Sequence, residues 1–453
     1  MAEFMRNTDA FAWAMESDPR LRSTVVTVIV LDGRPDWDEV RNRFDMLSRK
    51  LPMLRQRVVQ SPALAPPRWE HCQEFDLDFH IRRVAAPTPG SLDTVLEMAR
   101  LAQMEDLDRA RPMWKATLID GLADGGAAVL CVFHHALTDG VGGIQIGMTL
   151  FDLEATPSQR RPLPAEPQAS ESSWVTGYQD VLRYHAGLAD KAVEGAKSAA
   201  GLLYNGMRRP VATAGAAAAT AASVYRMVRP VNDTGSALMT RRSLVRQLGV
   251  HEVPMSQLRE AAHRGGGALN DAFVAGVTGG LRRYHGKHGT VLGDVHLTMP
   301  VSLRTKADEM GGNRITLMRF DVPAGIVDPA ERIAEIHRRA SDVRHERSLP
   351  YTQSIAGALN LMPRWYIGSI LRHVDFVASD VPGIPVPVFL GGARVRAQYA
   401  FGPTIGTAVN VTLLSYVDVC FFGINVDTAA IPDYSVFHDC LVDGFDEVLA
   451  LAR

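Results

Sequence analysis

The segment His134-His135-Ala136-Leu137-Thr138-Asp139-Gly140 sets two imidazoles, a carboxylate and a glycine directly behind the apolar run 127–133. An imidazole titrates near neutral pH, so it can take a proton in one step of a reaction and return it in the next. Asp139 is placed to orient a ring or anchor the loop. Gly140 lets another molecule approach the backbone closely.

Three chemistries fit this spacing. In the first, His135 is a general base for acyl transfer. An alcohol is too weak an acid to ionise freely, so its proton must leave as its oxygen attacks, and a neutral imidazole within hydrogen-bond reach does this. A thioester donor leaves as a thiolate of pKa about 8.5. It needs little help beyond the returned proton, so transfer can be direct, with no acyl-enzyme. In the second, His134 or His135 joins Asp139 as two ligands of a metal, but zinc wants three or four, and the chain has no HExxH and no cysteine partner. In the third, the segment is structural: Asp139 caps a helix beginning at Gly140 and the histidines fill a strand end. Spacing alone leaves all three open.

Other catalytic signatures are missing from the sequence. It contains no GxSxG, no GxxxxGK[ST] and no GxGxxG. Gly265-Gly266-Gly267 precedes an expected helix and reads either as an anion cradle or as a turn.

The elements that must position the His-His loop follow from periodicity. Residues 23–31 (STVVTVIVL) are β-branched and apolar, a strand. Residues 36–51 carry Val40, Phe44, Leu47 and Leu51 at helical spacing, and 92–107 form another helix. Pro112-Met113-Trp114 opens a short strand, 114–119. A buried strand over 127–133 delivers the loop, and 140–153 form the helix after it. In the second half, Asn270-Asp271 cap a helix to about residue 284. Strands are expected at 295–299, 315–322, 409–416 and 419–426, helices at 328–347 and 432–451, and 376–381 leads into a Pro/Gly turn. Between the halves, 155–172 are rich in Pro, Ser, Glu and Gln. Residues 181–230 hold seven Lys/Arg against two Asp/Glu in a chain of net charge −2. They read as solvated linking helices, with a membrane-surface role for the basic face as the alternative. The organisation expected is a first lobe over 1–180, a helical linker over 181–235 and a second lobe over 236–453.

With 453 residues, 46% hydrophobic and 22% charged, the chain has ordinary globular composition and ample material for a core. No basic excess points to nucleic acid. Cys72, Cys131, Cys420 and Cys440 are scattered without a CxxC pair, which argues against a disulfide scaffold or zinc ribbon and for a reducing compartment. The start, MAEFMRNTDAFAW, carries acids and lacks an apolar signal core. No apolar run reaches about eighteen residues. Neither a secretory signal nor a spanning helix is expected, and peripheral membrane contact stays open.

Five motifs together resemble the bacterial wax ester synthase/diacylglycerol acyltransferase family, within the transferases that resemble chloramphenicol acetyltransferase and peptide condensation domains. The likeness covers essentially the whole chain. His134 to Gly140 matches the family's HHxxxDG. Pro112-Met113-Trp114 resembles PLW, with Met for Leu, a volume-conserving change. Asn270-Asp271 matches ND, and Pro300-Val301-Ser302-Leu303-Arg304 resembles PVSxR. Ser379-Asp380-Val381-Pro382-Gly383 resembles SNVPG, with a carboxylate at Asp380 where the family carries an amide.

The resemblance implies an α/β fold of mixed sheets: two chloramphenicol-acetyltransferase-like lobes with the active site in a channel between them. Acyl-CoA and the acceptor alcohol would enter from opposite faces, and acyl-CoA would be a co-substrate, with no bound cofactor or metal. His135 would be the general base, His134 its support, Asp139 a loop-holding residue and Gly140 the opening beside the reacting atoms. Asp139 would ion-pair with Arg304 of the other lobe. Asn270, Asp271, Pro112 and Trp114 would be architectural. Ser379, or a backbone N–H near it, is the candidate donor to the oxyanion, and Asp380 would touch oxyanion or acceptor. A structural turn over 379–383 is the alternative.

The leading expectation is an O-acyltransferase joining a fatty acyl group to diacylglycerol or a long-chain alcohol. It would act in the cytoplasm, peripherally on the inner membrane face or a lipid inclusion. One alternative is a related CoA- or carrier-protein-dependent transferase acting on another hydroxyl or an amine. An alternative of another class is a lipid-binding protein without catalysis.

Overall fold

β-Branched residues crowd the run TVVTVIVL, and it forms the strand Thr24–Leu31 at the middle of a six-stranded sheet. The computed structural model describes residues 3–61, 65–137, 140–156, 163–166, 181–186, 222–225, 233–302, 315–344, 352–359, 362 and 373–453. On one side Thr24–Leu31 pairs antiparallel with Ala127–His134, which is followed by Trp114–Asp120 and then Ile81–Ala85. On its other side lies Ala393–Phe401, followed by the short strand Phe389–Leu390. Helices cover this sheet. Trp37–Lys50 starts where the Asp36 carboxylate accepts the Glu39 N–H at 3.0 Å, and it buries Val40, Phe44 and Leu47. Leu92–Met104 starts at Ser91 in the same way.

A second six-stranded sheet runs in the order Ile315–Pro323, Asp294–Ser302, Phe376–Val381, Val409–Tyr416, Val419–Asp427, Arg246–Pro254. Phe376–Val381 is parallel to both neighbours and the remaining pairs are antiparallel. Its helical layer centres on Leu269–Lys287 and Tyr434–Leu449. These two helices touch backbone to backbone: a Cβ at Gly444 would stand 2.3 Å from the Gly280 nitrogen. Each sheet therefore has its own apolar core. A small third sheet joins Glu3–Phe4, Arg68–His71 and Gln56–Val59.

The mixed α/β, two-lobed fold is the one expected, with one exchange between lobes. Residues 389–401 lie in the sheet of the first lobe, so the second lobe expected at 236–453 is not self-contained. Polar side chains seal the crossing. Gln103 donates to the Phe401 carbonyl at 3.2 Å, Asn425 donates to Gln103 Oε1 at 3.0 Å, and Tyr399 donates to Glu252. Of the linker expected at 181–235, residues 181–186 and 222–225 are helical, and most of the rest lies outside the described residues.

The Asn270-Asp271 cap needs correcting. The helix begins at Leu269 with Ala268 as its cap residue, so Asn270 already lies in the first turn. Asp271 does the capping, by accepting the Ala268 N–H at 2.7 Å, and it also pairs with His337 at 2.7 Å. Gly265-Gly266-Gly267 is the turn between this helix and Met255–Arg264. The positive φ of +71° at Gly266 makes the turn, and Ile333 packs on its two neighbours.

Candidate active site

Between the two sheets lies a cavity of about 240 Å³, and His135 is in its wall. The first sheet supplies Val25, Thr27, Ile29, Cys131, Phe133, Gln398 and Ala400. The second supplies Thr298, Val377, Ser379, Asn410, Thr412 and Leu414, and the helix Gly140–Leu150 adds Gly143, Ile146, Gly147 and Leu150. Most of this lining is apolar, as in ligand pockets generally. Cys131 is no nucleophile, since burial pushes its thiol up to about 12.

The His-His loop is fixed by its backbone. The His134 N–H donates to the Met113 carbonyl at 3.0 Å, and the His135 N–H donates to the Ser23 carbonyl at 2.8 Å. The segment Pro112-Met113-Trp114 therefore bears directly on the loop. Trp114 is fully buried, stacks on His80 with ring centres 4.6 Å apart, and donates its indole N–H to the Leu54 carbonyl at 2.8 Å. Pro112, beside it, is buried as well.

His134 is almost fully enclosed. Its Nδ1 accepts the Ala136 N–H at 3.0 Å, which leaves the proton on Nε2. That nitrogen faces Glu16 Oε1 at 3.1 Å, off the axis of a well-aligned hydrogen bond but in close electrostatic contact. Trp13 lies edge-on to the ring, centres 5.5 Å apart. Glu16 also accepts the Ser23 N–H at 2.9 Å and lies 3.5 Å from Arg109, whose guanidinium stacks over Trp13. Burial pushes the Glu16 carboxyl up, but His134, the Ser23 N–H and Arg109 outweigh it and hold it below its ordinary value. Neither Glu16 nor Trp13 stands in a sequence motif. One signal for Glu16 was available: an acid at the C-cap of Asn7–Met15 opposes the helix dipole.

Across the cavity, pleating separates Ser379 from Asp380. Phe376 and Ala378 point into the core of the second lobe, whereas Val377 and Ser379 line the cavity. By that alternation the Asp380 side chain belongs to the core face, and its charge reaches Cys420, a residue of that core, whose thiol is pushed up to about 12 mainly by burial. Asp380 nevertheless borders the cavity beside Ser379. Burial alone raises the carboxyl to about 6. Ser379 lies beside Thr412 in register, and Thr412 accepts the Gly402 N–H at 3.3 Å while donating to Asn410 at 2.9 Å. Thr298 and Gln398 also line the cavity, each with a buried polar atom that has no partner among the described residues. Neither stands in a sequence motif.

Gly140 opens the helix Gly140–Leu150, whose far end is held by a buried Arg43–Asp152 ion pair. Asp139 and Arg304, expected to pair across the lobes, lie outside the described residues. Among the described residues no group of three or more His, Cys, Asp or Glu is close enough to hold a metal.

Comparison with known proteins converges on one family. The family model for the wax ester synthase/diacylglycerol acyltransferase catalytic domain matches residues 5–273, and that for the WS/DGAT C-terminal domain matches 311–448. A Mycobacterium tuberculosis protein named as a diacylglycerol O-acyltransferase is 37% identical over 446 residues, covering 96% of this chain and 90% of its own. Another so named from that organism is 25% identical, covering 98% and 95%. Among solved structures, the wax ester synthase/diacylglycerol acyltransferase from Marinobacter aquaeolei VT8 has a TM-score of 0.66 at 19% identity, over 99% of both chains. The first condensation domain of the calcium-dependent antibiotic synthetase has 0.66 at 16%, over 100% of this chain and 97% of that one. At such identities the structural likeness is one of fold.

Proposed function

This chain belongs to the wax ester synthase/diacylglycerol acyltransferase family and is an acyltransferase, and from that premise we propose that it moves a fatty acyl group from acyl-CoA to the hydroxyl of a diacylglycerol or long-chain alcohol. The observation that carries this reading is the apolar cavity between the sheets with His135 in its wall. The His135 imidazole takes the acceptor's hydroxyl proton as the oxygen attacks the thioester carbonyl. The tetrahedral intermediate then expels the CoA thiolate, which recovers that proton. No acyl-enzyme forms, and acyl-CoA serves as co-substrate without a bound cofactor or metal. The Ser379 hydroxyl donates to the oxyanion. His134 supports the loop, Asp139 holds it, with Arg304 as its cross-lobe partner, and Gly140 leaves room for the acceptor.

The reaction takes place peripherally at a lipid surface, on the cytoplasmic membrane face or a lipid inclusion. Among the described residues no helix is long and apolar enough to cross a membrane. Met148 on the cavity-lining helix is 66% exposed, and Leu153 just beyond it 67%. Both suit contact with lipid.

Purified protein given palmitoyl-CoA with hexadecanol or dioleoylglycerol should release free thiol and form ester. His135→Ala should lower the rate by about 100-fold or more without loss of fold. An active His135→Ala would remove the base assignment, and no ester from either acceptor would remove the substrate assignment. The fold shared with condensation domains supports a second reading, an amine acceptor and a carrier-bound donor. Activity with acyl-carrier protein but none with CoA would select it.

A further inference from the structure

Gln398 is 8% exposed, lines the cavity, and its amide nitrogen has no hydrogen-bond partner among the described residues. A buried donor left unpaired is costly, and one in a native wall calls for a partner that enters with the ligand or solvent. Water is a poor candidate. A buried water needs two to four polar contacts. The cavity-lining neighbours of Gln398 on the sheet are Ile29, directly opposite in register, and Ala400, two residues along the same face.

The register gives the depth of this amide. Gln398 pairs with Ile29, and Ile29 with Val129. His135 follows Val129 by six residues, which at 3.3 Å per residue is ~20 Å along the strand. The helix Gly140–Leu150 runs the same way, and just past it Asp152 exchanges both backbone hydrogen bonds with Phe389, at 2.9 and 2.8 Å. A long chain extended from His135 along this wall thus brings its far end to Gln398.

We propose that Gln398 forms a polar subsite for an oxygen carried near the remote end of a long-chain substrate, a hydroxyl or keto group on the acyl chain or the alcohol. The subsite rests on the acyltransferase reading above, which places the reacting carbonyl at His135. The amide donates to that oxygen, so chains bearing it are accepted in preference to plain hydrocarbon of equal length.

The test compares ω-hydroxyhexadecanoyl-CoA with palmitoyl-CoA, and the hexadecane diol hydroxylated at both termini with hexadecanol, in the wild type, Gln398→Leu and Gln398→Met. The quantity read is the ratio of kcat/KM for oxygenated over plain chain within each protein, which is insensitive to the fraction folded. The wild type should favour the oxygenated chain of at least one pair, and both variants should lower that ratio by about fivefold. A wild-type ratio at or below one for both pairs overturns the subsite, as does a ratio that the substitutions leave unchanged. If no chain is transferred at all, the acyltransferase reading is what fails. Calorimetric binding of the two alcohols to wild type and Gln398→Leu then decides the subsite by the same comparison.

Discussion

Glu16 Oε1 stands 3.1 Å from Nε2 of His134, the residue immediately before the proposed base. The same carboxylate holds the Ser23 N–H, and the Ser23 carbonyl holds the N–H of His135. One acid thus braces both histidines, one by its ring and the other by its backbone. Glu16→Gln preserves the shape and an acceptor but removes the charge. It should lower kcat by about 10- to 100-fold, the scale of a misplaced catalytic group, with KM for acyl-CoA unchanged. Steady-state thiol release with circular dichroism on the same sample checks this. A variant with wild-type kcat would reduce Glu16 to a packing role.

The Asp380 carboxyl is raised to about 6 by burial, so the folded state favours its protonated form. The stability this contributes is present below the unfolded carboxyl's value near 4 and is lost as pH rises through about 6. Asp380→Asn restores the family's amide. It should gain on the order of 1–3 kcal/mol over the wild type above that window and nothing below it. Denaturant unfolding at both ends of the window measures the difference. The transfer rate should change by less than about twofold, because the side chain lies on the core face of its strand.

Ser379→Ala should lower kcat by about 100-fold, the usual cost of a lost oxyanion donor. Thr298→Val, which removes another hydroxyl from the wall, should leave kcat nearly intact. Single-turnover rates would show which order holds, and the opposite order would move the donor to Thr298.

A Cβ at Gly147 would stand 3.4 Å from both Ile384 and Phe151. The branches of Gly147→Val would then take space from the cavity. Its kcat/KM for lauroyl-CoA relative to palmitoyl-CoA should rise about 10-fold or more. An unchanged ratio would mean that neither chain passes this turn of the helix.

Much of the scaffold was legible in the sequence because its strands announce themselves by composition. TVVTVIVL and AAVLCVF need no partner to be read as strands, and the His-His motif follows the second directly. The strand Ala393–Phe401 was missed, although Arg394 and Arg396 alternate with the buried Val395 and Ala397 in the required period of two. Its place beside Thr24–Leu31 is a non-local pairing that no local pattern encodes. The site divides the same way. His135 and Ser379 stand in motifs, whereas Glu16 and Gln398 reach the cavity or its loop only through the fold. A motif reports neighbours in sequence, as at Ser379 and Asp380, and it does not say which face of the pleated strand each one takes.

The loan of residues 389–401 to the first sheet also bears on how the protein is made. Until those residues leave the ribosome, Thr24–Leu31 has an open hydrogen-bonding edge of strongly β-forming sequence. The nascent first half must wait in that state for most of the chain to be synthesised, exposed to pairing with other chains. A fragment ending before residue 389 would keep that edge permanently, and its fate would be insolubility rather than a smaller working enzyme.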